Sequence, residues 1–261
     1  MKNQFKEYFE LAEKTLSESK ILLNIIDENF SSYDKGAKRL CITLFIQCTR
    51  LLGAVLTLCN NGYDEEASIL VRTLLENCSY LLFIGEKEHE ERAVFYMNSR
   101  ALSDAEAVLE ANSIAPEGEL KVDEGFYLKR KHEALTYLRN KLGSDKDEKE
   151  LKRGALRARN AAEQLQQSDK KEYLITTYKI LHRPASSVTH GEAPLRFITE
   201  GEQGIIFKKS ASGKQSKICL QTSVLLTCYE METIIRLLKI EIDNEAISII
   251  EKLKSLLINP C

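Results

Sequence analysis

The segment His182-Arg183-Pro184-Ala185-Ser186-Ser187-Val188-Thr189-His190-Gly191 holds two of the chain's four histidines, together with an arginine, two serines and a threonine. No other stretch gathers so many groups able to donate, accept and shuttle protons. Arg183 and His190 stand seven residues apart, close to two turns of an α-helix, so on a helix both side chains face the same way. Pro184 is tolerated in a first helical turn, and Gly191 stops or bends the helix. A fixed guanidinium beside an imidazole that titrates near neutral pH suits phosphodiester cleavage. The cation holds phosphate and stabilises the transition state, and the imidazole carries the proton. Ser187, three residues before His190, can hydrogen-bond in the same site, whereas His182 points elsewhere if the helix is continuous. A second reading stands beside this one: a histidine before a glycine at a helix end satisfies local carbonyls and orders a turn, and Arg183 pairs with a carboxylate.

Arg72 and Glu76 form the other constellation. Four apart on a helix, they can pair directly. Their surroundings are apolar, so a partly buried pair is expected that either ties one helix or orients Arg183 or a histidine. His89 and His132 sit among charged residues and read as solvated. The tyrosines are scattered, without a stacking platform. Ser187 lacks a nucleophile elbow. There is no P-loop, dinucleotide fingerprint or Cys-x2-Cys pair, so neither cofactor nor metal is expected.

The elements that must position these groups are helical. With 4 prolines and 12 glycines in 261 residues, the chain favours long helices. Apolar spacing predicts helices over 3–28, 36–60, 64–85, 88–112 and 126–142. The 36–60 helix is apolar nearly all round and so central. Asn60-Asn61-Gly62 stops it. Asp64 reads as the cap of the next helix, with Glu65 and Glu66 at its positive dipole end. Residues 145–167 are charge-rich and read as a solvated helix, in which Arg153, Arg157 and Arg159 could form a phosphate-binding face. Two β-rich runs predict a hairpin near 196–208. A long helix over 216–240 follows, and Asn244 starts a last one to Leu257.

Thirty-seven basic residues against 39 acidic give a net charge of −2, which argues against a general nucleic-acid binder but not against a local basic patch. The hydrophobic share of 43% and charged share of 29% fit a folded soluble chain, read as one domain. No N-terminal apolar signal stands out, and the longest wholly apolar runs fall short of the ~20 residues that span a bilayer. No membrane association is expected. Seven cysteines, several within apolar helical patterns, read as buried thiols of a reducing cytoplasm. Broad apolar helix faces predict a homodimer.

Two signatures carry a family resemblance. One is Ala67-Ser68-Ile69-Leu70-Val71-Arg72-Thr73-Leu74-Leu75-Glu76 with the aromatic-aliphatic run after it; the other is Ser186-Ser187-Val188-Thr189-His190-Gly191. Over roughly residues 36–240 the chain resembles a bacterial all-helical family described only as a domain of unknown function. More distantly it resembles the HEPN superfamily of helical bundles. Active members of that superfamily are metal-independent RNases with Arg-x(4–6)-His on one late helix, usually completed across a dimer, and they serve as toxins or anti-phage effectors. The resemblance implies that Arg183 binds phosphate and His190 assists attack by the RNA 2′-hydroxyl. Pro184 follows the arginine where the commoner form has a polar residue. The expectation is therefore an all-α, multi-helix bundle with a small hairpin. It is either an RNA-cleaving enzyme or a non-catalytic binding or scaffold module that partners another defence protein.

Overall fold

Helices α2 (Ala37–Asn60) and α3 (Asp64–Glu86) lie at the centre. The computed structural model describes residues 6–33, 36–114, 122–182, 198–201, 204–207, 214–241 and 251. The turn between α2 and α3 closes through Tyr63 N–H donating to Leu58 O at 2.9 Å, with Gly62 at φ 82°, a conformation that glycine adopts without strain. Both helices pack against the last long one, α9 (Lys214–Leu238). Their shared interface holds Phe45, Leu52, Leu74, Leu81, Val224 and Ile234, all buried. A Cβ on Gly85 would run into Thr233 of α9, so the glycine lets the two backbones approach closely.

The other elements clothe this centre. Helix α1 (Lys6–Glu28) covers α9 and α2. Helices α4 (His89–Ile114) and α5 (Glu124–Leu142) pack against each other, and α4 also packs against α3 and α2. Asp123 caps α5 by accepting from Phe126 N–H. Helices α6 (Glu148–Gly154), α7 (Ala158–Glu163) and α8 (Ser168–Thr177) follow, and a π turn (Tyr178–His182) ends α8. The buried apolar side chains form one cluster. At the hairpin expected near 196–208, Ile198–Gly201 pairs antiparallel with Gly204–Phe207, Ile198 opposite Phe207. The pair is too small to form a layer, and the class is all-α. The predicted helix from Asn244 lies outside the described residues except for Glu251, which is helical.

Two expectations change. Residues 145–167 are not one solvated helix but α6 and α7, joined by a kinked link. Leu151, Leu156, Ala158, Ala161, Ala162 and Leu165 are buried there, because small alanines let α7 lie close on α3. Asp64 is the first helical residue rather than the cap; the cap position is Tyr63, which makes no side-chain cap bond. Helices α2 and α3 each have the length and composition of a membrane span; 67% of the α3 window is buried against protein, as in a core helix.

The corner between α3 and α4 anchors α8. Arg92 Nη1 lies 3.4 Å from Glu86 Oε2, with side chains 8% and 9% exposed. Glu86 Oε1 accepts from the N–H groups of Gln166 (2.9 Å) and Gln167 (3.2 Å). On the other side of α8, Lys170 pairs with Glu232 of α9 at 3.1 Å. Removing one partner of a buried pair strands the other charge. Glu86→Ala is therefore expected to cost about 3–5 kcal/mol in urea unfolding, and a loss under ~1 kcal/mol would refute this anchoring.

Glu230 of α9 is fully buried, with the thiols of Cys48 and Cys78 as polar neighbours. Burial pushes its carboxyl up to about 8, against a smaller opposing pull from the two thiols. Between about pH 4.5 and about pH 8 the folded chain holds a proton that the unfolded chain has lost. Its stabilising contribution is thus complete below that window and is lost as pH rises through it, by a few kcal/mol in all. Urea midpoints across this range should fall with pH in the wild type. They should fall less in Glu230→Gln, and equal slopes in the two proteins would contradict the assignment.

Candidate functional site

Arg72, Glu76 and Tyr80 recur every fourth residue along α3 and so share one face. Arg72 Nε donates to Glu76 Oε1 at 3.2 Å, and the side chains are 24% and 33% exposed. Tyr80 is buried and packs edge-on against Tyr96 of α4, with centroids 4.8 Å apart. Burial, and then the Glu76 charge, raises its phenol to about 12.

Tyr178, the first residue of the π turn, meets this face. Burial first, and then Glu76 and Tyr80, push its phenol above the usual range, while Arg72 pulls it down. Four side chains from two elements are thus one electrostatic group. Single π turns interrupting α-helices recur at functional positions, because they redirect the chain without ending its hydrogen bonding.

The sequence-derived candidates divide accordingly. Arg72 and Glu76 are paired, half-buried and set against the π turn. His182 is the last residue of that turn, described through its backbone. Arg183, Ser187 and His190 lie outside the described residues. Tyr80 and Tyr178 join the site although the sequence reading left them among scattered tyrosines. The four-residue spacing from Glu76 to Tyr80 was the available signal; no local pattern marks Tyr178. The chemistry on offer is a carboxylate and a guanidinium walled by phenols, one of which, Tyr178, precedes Arg183 by five residues in the chain. A carboxylate there can fix a second guanidinium through paired hydrogen bonds.

The remaining candidates resolve differently. His89 is half-buried: its Nδ1 donates to Ile84 O at 2.8 Å, so that nitrogen carries the proton. His132 is exposed. Arg153, Arg157 and Arg159 are exposed but divided between α6, the cap of α7 and α7 itself, and Arg159 pairs with Glu163 at 2.9 Å. A cavity of about 630 Å³ opens at the α3–α4 corner, lined in part by Lys38, Glu90, Arg236 and Lys239. Its Glu86 and Glu90 are already engaged with helix ends. Among the described residues no cluster of three or more His, Cys, Asp or Glu is placed to hold a metal.

No curated protein and no solved structure matches the chain. A family described as of unknown function (DUF5677) matches residues 38–205, from the start of α2 into the strand pair. That stretch takes in Arg72, Glu76, Tyr178, Arg183, Ser187 and His190. It is more than half of the chain, and the protein belongs to this family.

Proposed function

We propose that the protein is a metal-independent endoribonuclease, acting as a toxin or anti-phage effector, with RNA as substrate and Arg183 and His190 as its working pair. One observation carries the reading: Tyr178, which begins the π turn and stands five residues before Arg183, meets the half-buried Arg72–Glu76 pair. If Arg183 reaches back to that pair, Glu76 supplies a carboxylate able to hold its guanidinium, and a fixed guanidinium is what phosphate binding needs. Support also comes from the all-helical fold and from the resemblance of Arg183-x6-His190 to the HEPN pattern.

In this reading Arg183 grips the non-bridging phosphate oxygens and offsets the charge that builds on them. His190 takes the proton from the 2′-hydroxyl, whose oxygen attacks phosphorus. The bond to the 5′-oxygen breaks, and that oxygen leaves with a proton taken from solvent water, to which His190 afterwards gives up its own. The products are a 2′,3′-cyclic phosphate and a 5′-hydroxyl. Ser187 steadies His190, Glu76 orients Arg183, and His182 lies at the rim. A homodimer completes the site with a second copy of the pair.

A second reading rests on a different observation. Ile114, Val122, Phe126 and Leu128 are exposed where α4 ends and α5 begins, an apolar tip suited to a protein partner. Here the chain is a non-catalytic scaffold for another defence protein, and the 182–191 segment only ties the helices to the hairpin.

Incubation of purified protein with end-labelled RNA in EDTA separates the two. The enzyme reading expects cyclic-phosphate ends. It expects losses of about 10²- to 10⁴-fold for Arg183→Ala and His190→Ala at unchanged melting temperature. Glu76→Gln should slow cleavage on the order of ten-fold. Wild-type rates in both alanine variants would remove it. The scaffold reading expects uncut RNA and a lower melting temperature for His190→Ala.

A further inference from the structure

The cavity of about 630 Å³ at the α3–α4 corner stands apart from the Arg72–Glu76 face. Three cations line it: Lys38 in the first turn of α2, Arg236 in the last turn of α9, and Lys239 just beyond. Among the described residues none of the three has an ion-pair partner. The carboxylates of the same wall are all engaged. Glu86 holds Arg92 and two N–H groups, Glu90 holds Ala37 N–H, and Glu91 pairs with Lys141. Glu88 is held most loosely, 3.8 Å from Arg92 Nε with its side chain 57% exposed. The charge left without a counter-ion is therefore positive.

The backbone points to the same place. Among the described residues two that are not glycine have positive φ, Glu88 at 49° and Lys239 at 55°, and both line this cavity. Lys239 follows α9, where Ile240 N–H donates back to Ile235 O at 3.1 Å. Glycine takes such a position without strain; a lysine takes it at a cost and sets a charge on the cavity wall. Strained residues of this kind concentrate where a ligand is held. Arg236 is held as well. Its Nη2 donates to Gly85 O at 3.3 Å, which steadies the guanidinium and leaves its other N–H groups to offer.

We propose that this cavity binds a small, hydroxyl-bearing phosphate monoester, either a nucleotide or a sugar phosphate. A steadied guanidinium presents two parallel donors to phosphate oxygens, and Lys38 and Lys239 add charge beside it. Glu88, the least committed carboxylate, accepts from a ligand hydroxyl. The volume lies in the range of small-molecule sites, far more than a bare phosphate ion fills. A second hollow of about 300 Å³ shares Glu88 and Glu91 with the first and has Phe83 and Phe95 in its wall, which gives a nucleobase a place beyond the sugar. The proposal does not rest on ribonuclease activity, and its probes contain no phosphodiester bond to cleave.

The test is calorimetric titration of the full chain at low salt, where exposed charges are least screened. The probes are AMP, ribose 5-phosphate, ribose and inorganic phosphate. Both esters are expected to bind about ten-fold or more tighter than ribose or phosphate alone. Tighter binding of AMP than of ribose 5-phosphate identifies a nucleotide site, and equal or weaker binding a sugar-phosphate site. Lys38→Met should weaken the better ester about ten-fold. Lys239→Gly should weaken it by a similar factor without lowering the melting temperature, because glycine relieves the strain. That combination is opposite to what a folding defect gives. Absence of binding by both esters at millimolar concentration would overturn the proposal. So would undiminished binding in Lys239→Gly, or ribose or inorganic phosphate binding as tightly as the esters. Lys239→Gly decides the matter alone if Lys38→Met does not fold.

Discussion

The carbonyls that end α3 hold the molecule together. A helix leaves its last carbonyls without partners, and α3 ends through the buried residues Phe83, Ile84 and Gly85. Three side chains serve these carbonyls. Arg92 donates to Phe83 O, His89 to Ile84 O, and Arg236 of α9 to Gly85 O. Cations and a protonated ring nitrogen also suit the negative end of the helix dipole. The Arg92 guanidinium lies 4.3 Å from the Phe83 ring centroid, so its planar face is packed as well.

The same corner caps two other helices with the opposite charge. Glu90 accepts from Ala37 N–H with both oxygens, at 3.1 and 3.2 Å, at the start of α2. Gly36 offers no side-chain cap there, and a Cβ on it would run into the Glu90 carboxylate. Glu86 takes the N–H groups that lead into α8. That helix has ten residues, too few to persist without tertiary support. Its position, and with it the π turn beside Arg72 and Glu76, is thus set from the corner at one end and by Lys170 on Glu232 along its side. The site is held by helix ends roughly 15 Å away along α8.

What the sequence could reveal follows from which interactions are local. The long helices are legible because their apolar spacing is read within one segment, and the Asn60-Asn61-Gly62 stop works through neighbours in the chain. The Arg72–Glu76 pair is legible for the same reason. Glu90 on Ala37 and Glu86 on Gln166 join residues 53 and 80 positions apart, and nothing nearby announces either. His89 misleads because its sequence neighbours are charged, while its partner is the carbonyl of a helix just completed. The 145–167 stretch misleads through charge as well: its lysines and arginines face outward, and its alanines meet α3. Tyr178 enters the site only because α8 is anchored where it is.

The central interface has a further constraint, since a purely hydrocarbon contact between long helices can slide by a turn at small cost. Here it carries polar groups at fixed heights. Glu230 sits between Cys48 of α2 and Cys78 of α3, and the close approach of Thr233 to Gly85 follows three residues on. A one-turn slip of α9 would move the carboxyl away from both thiols and drive Thr233 against a residue that has a Cβ. A buried polar group of this kind costs stability and in return selects one register. The register of α9 against α3 also fixes Arg236 on Gly85 O and Glu232 on Lys170. One alignment of two helices therefore sets both the capped corner and the helix that delivers the π turn.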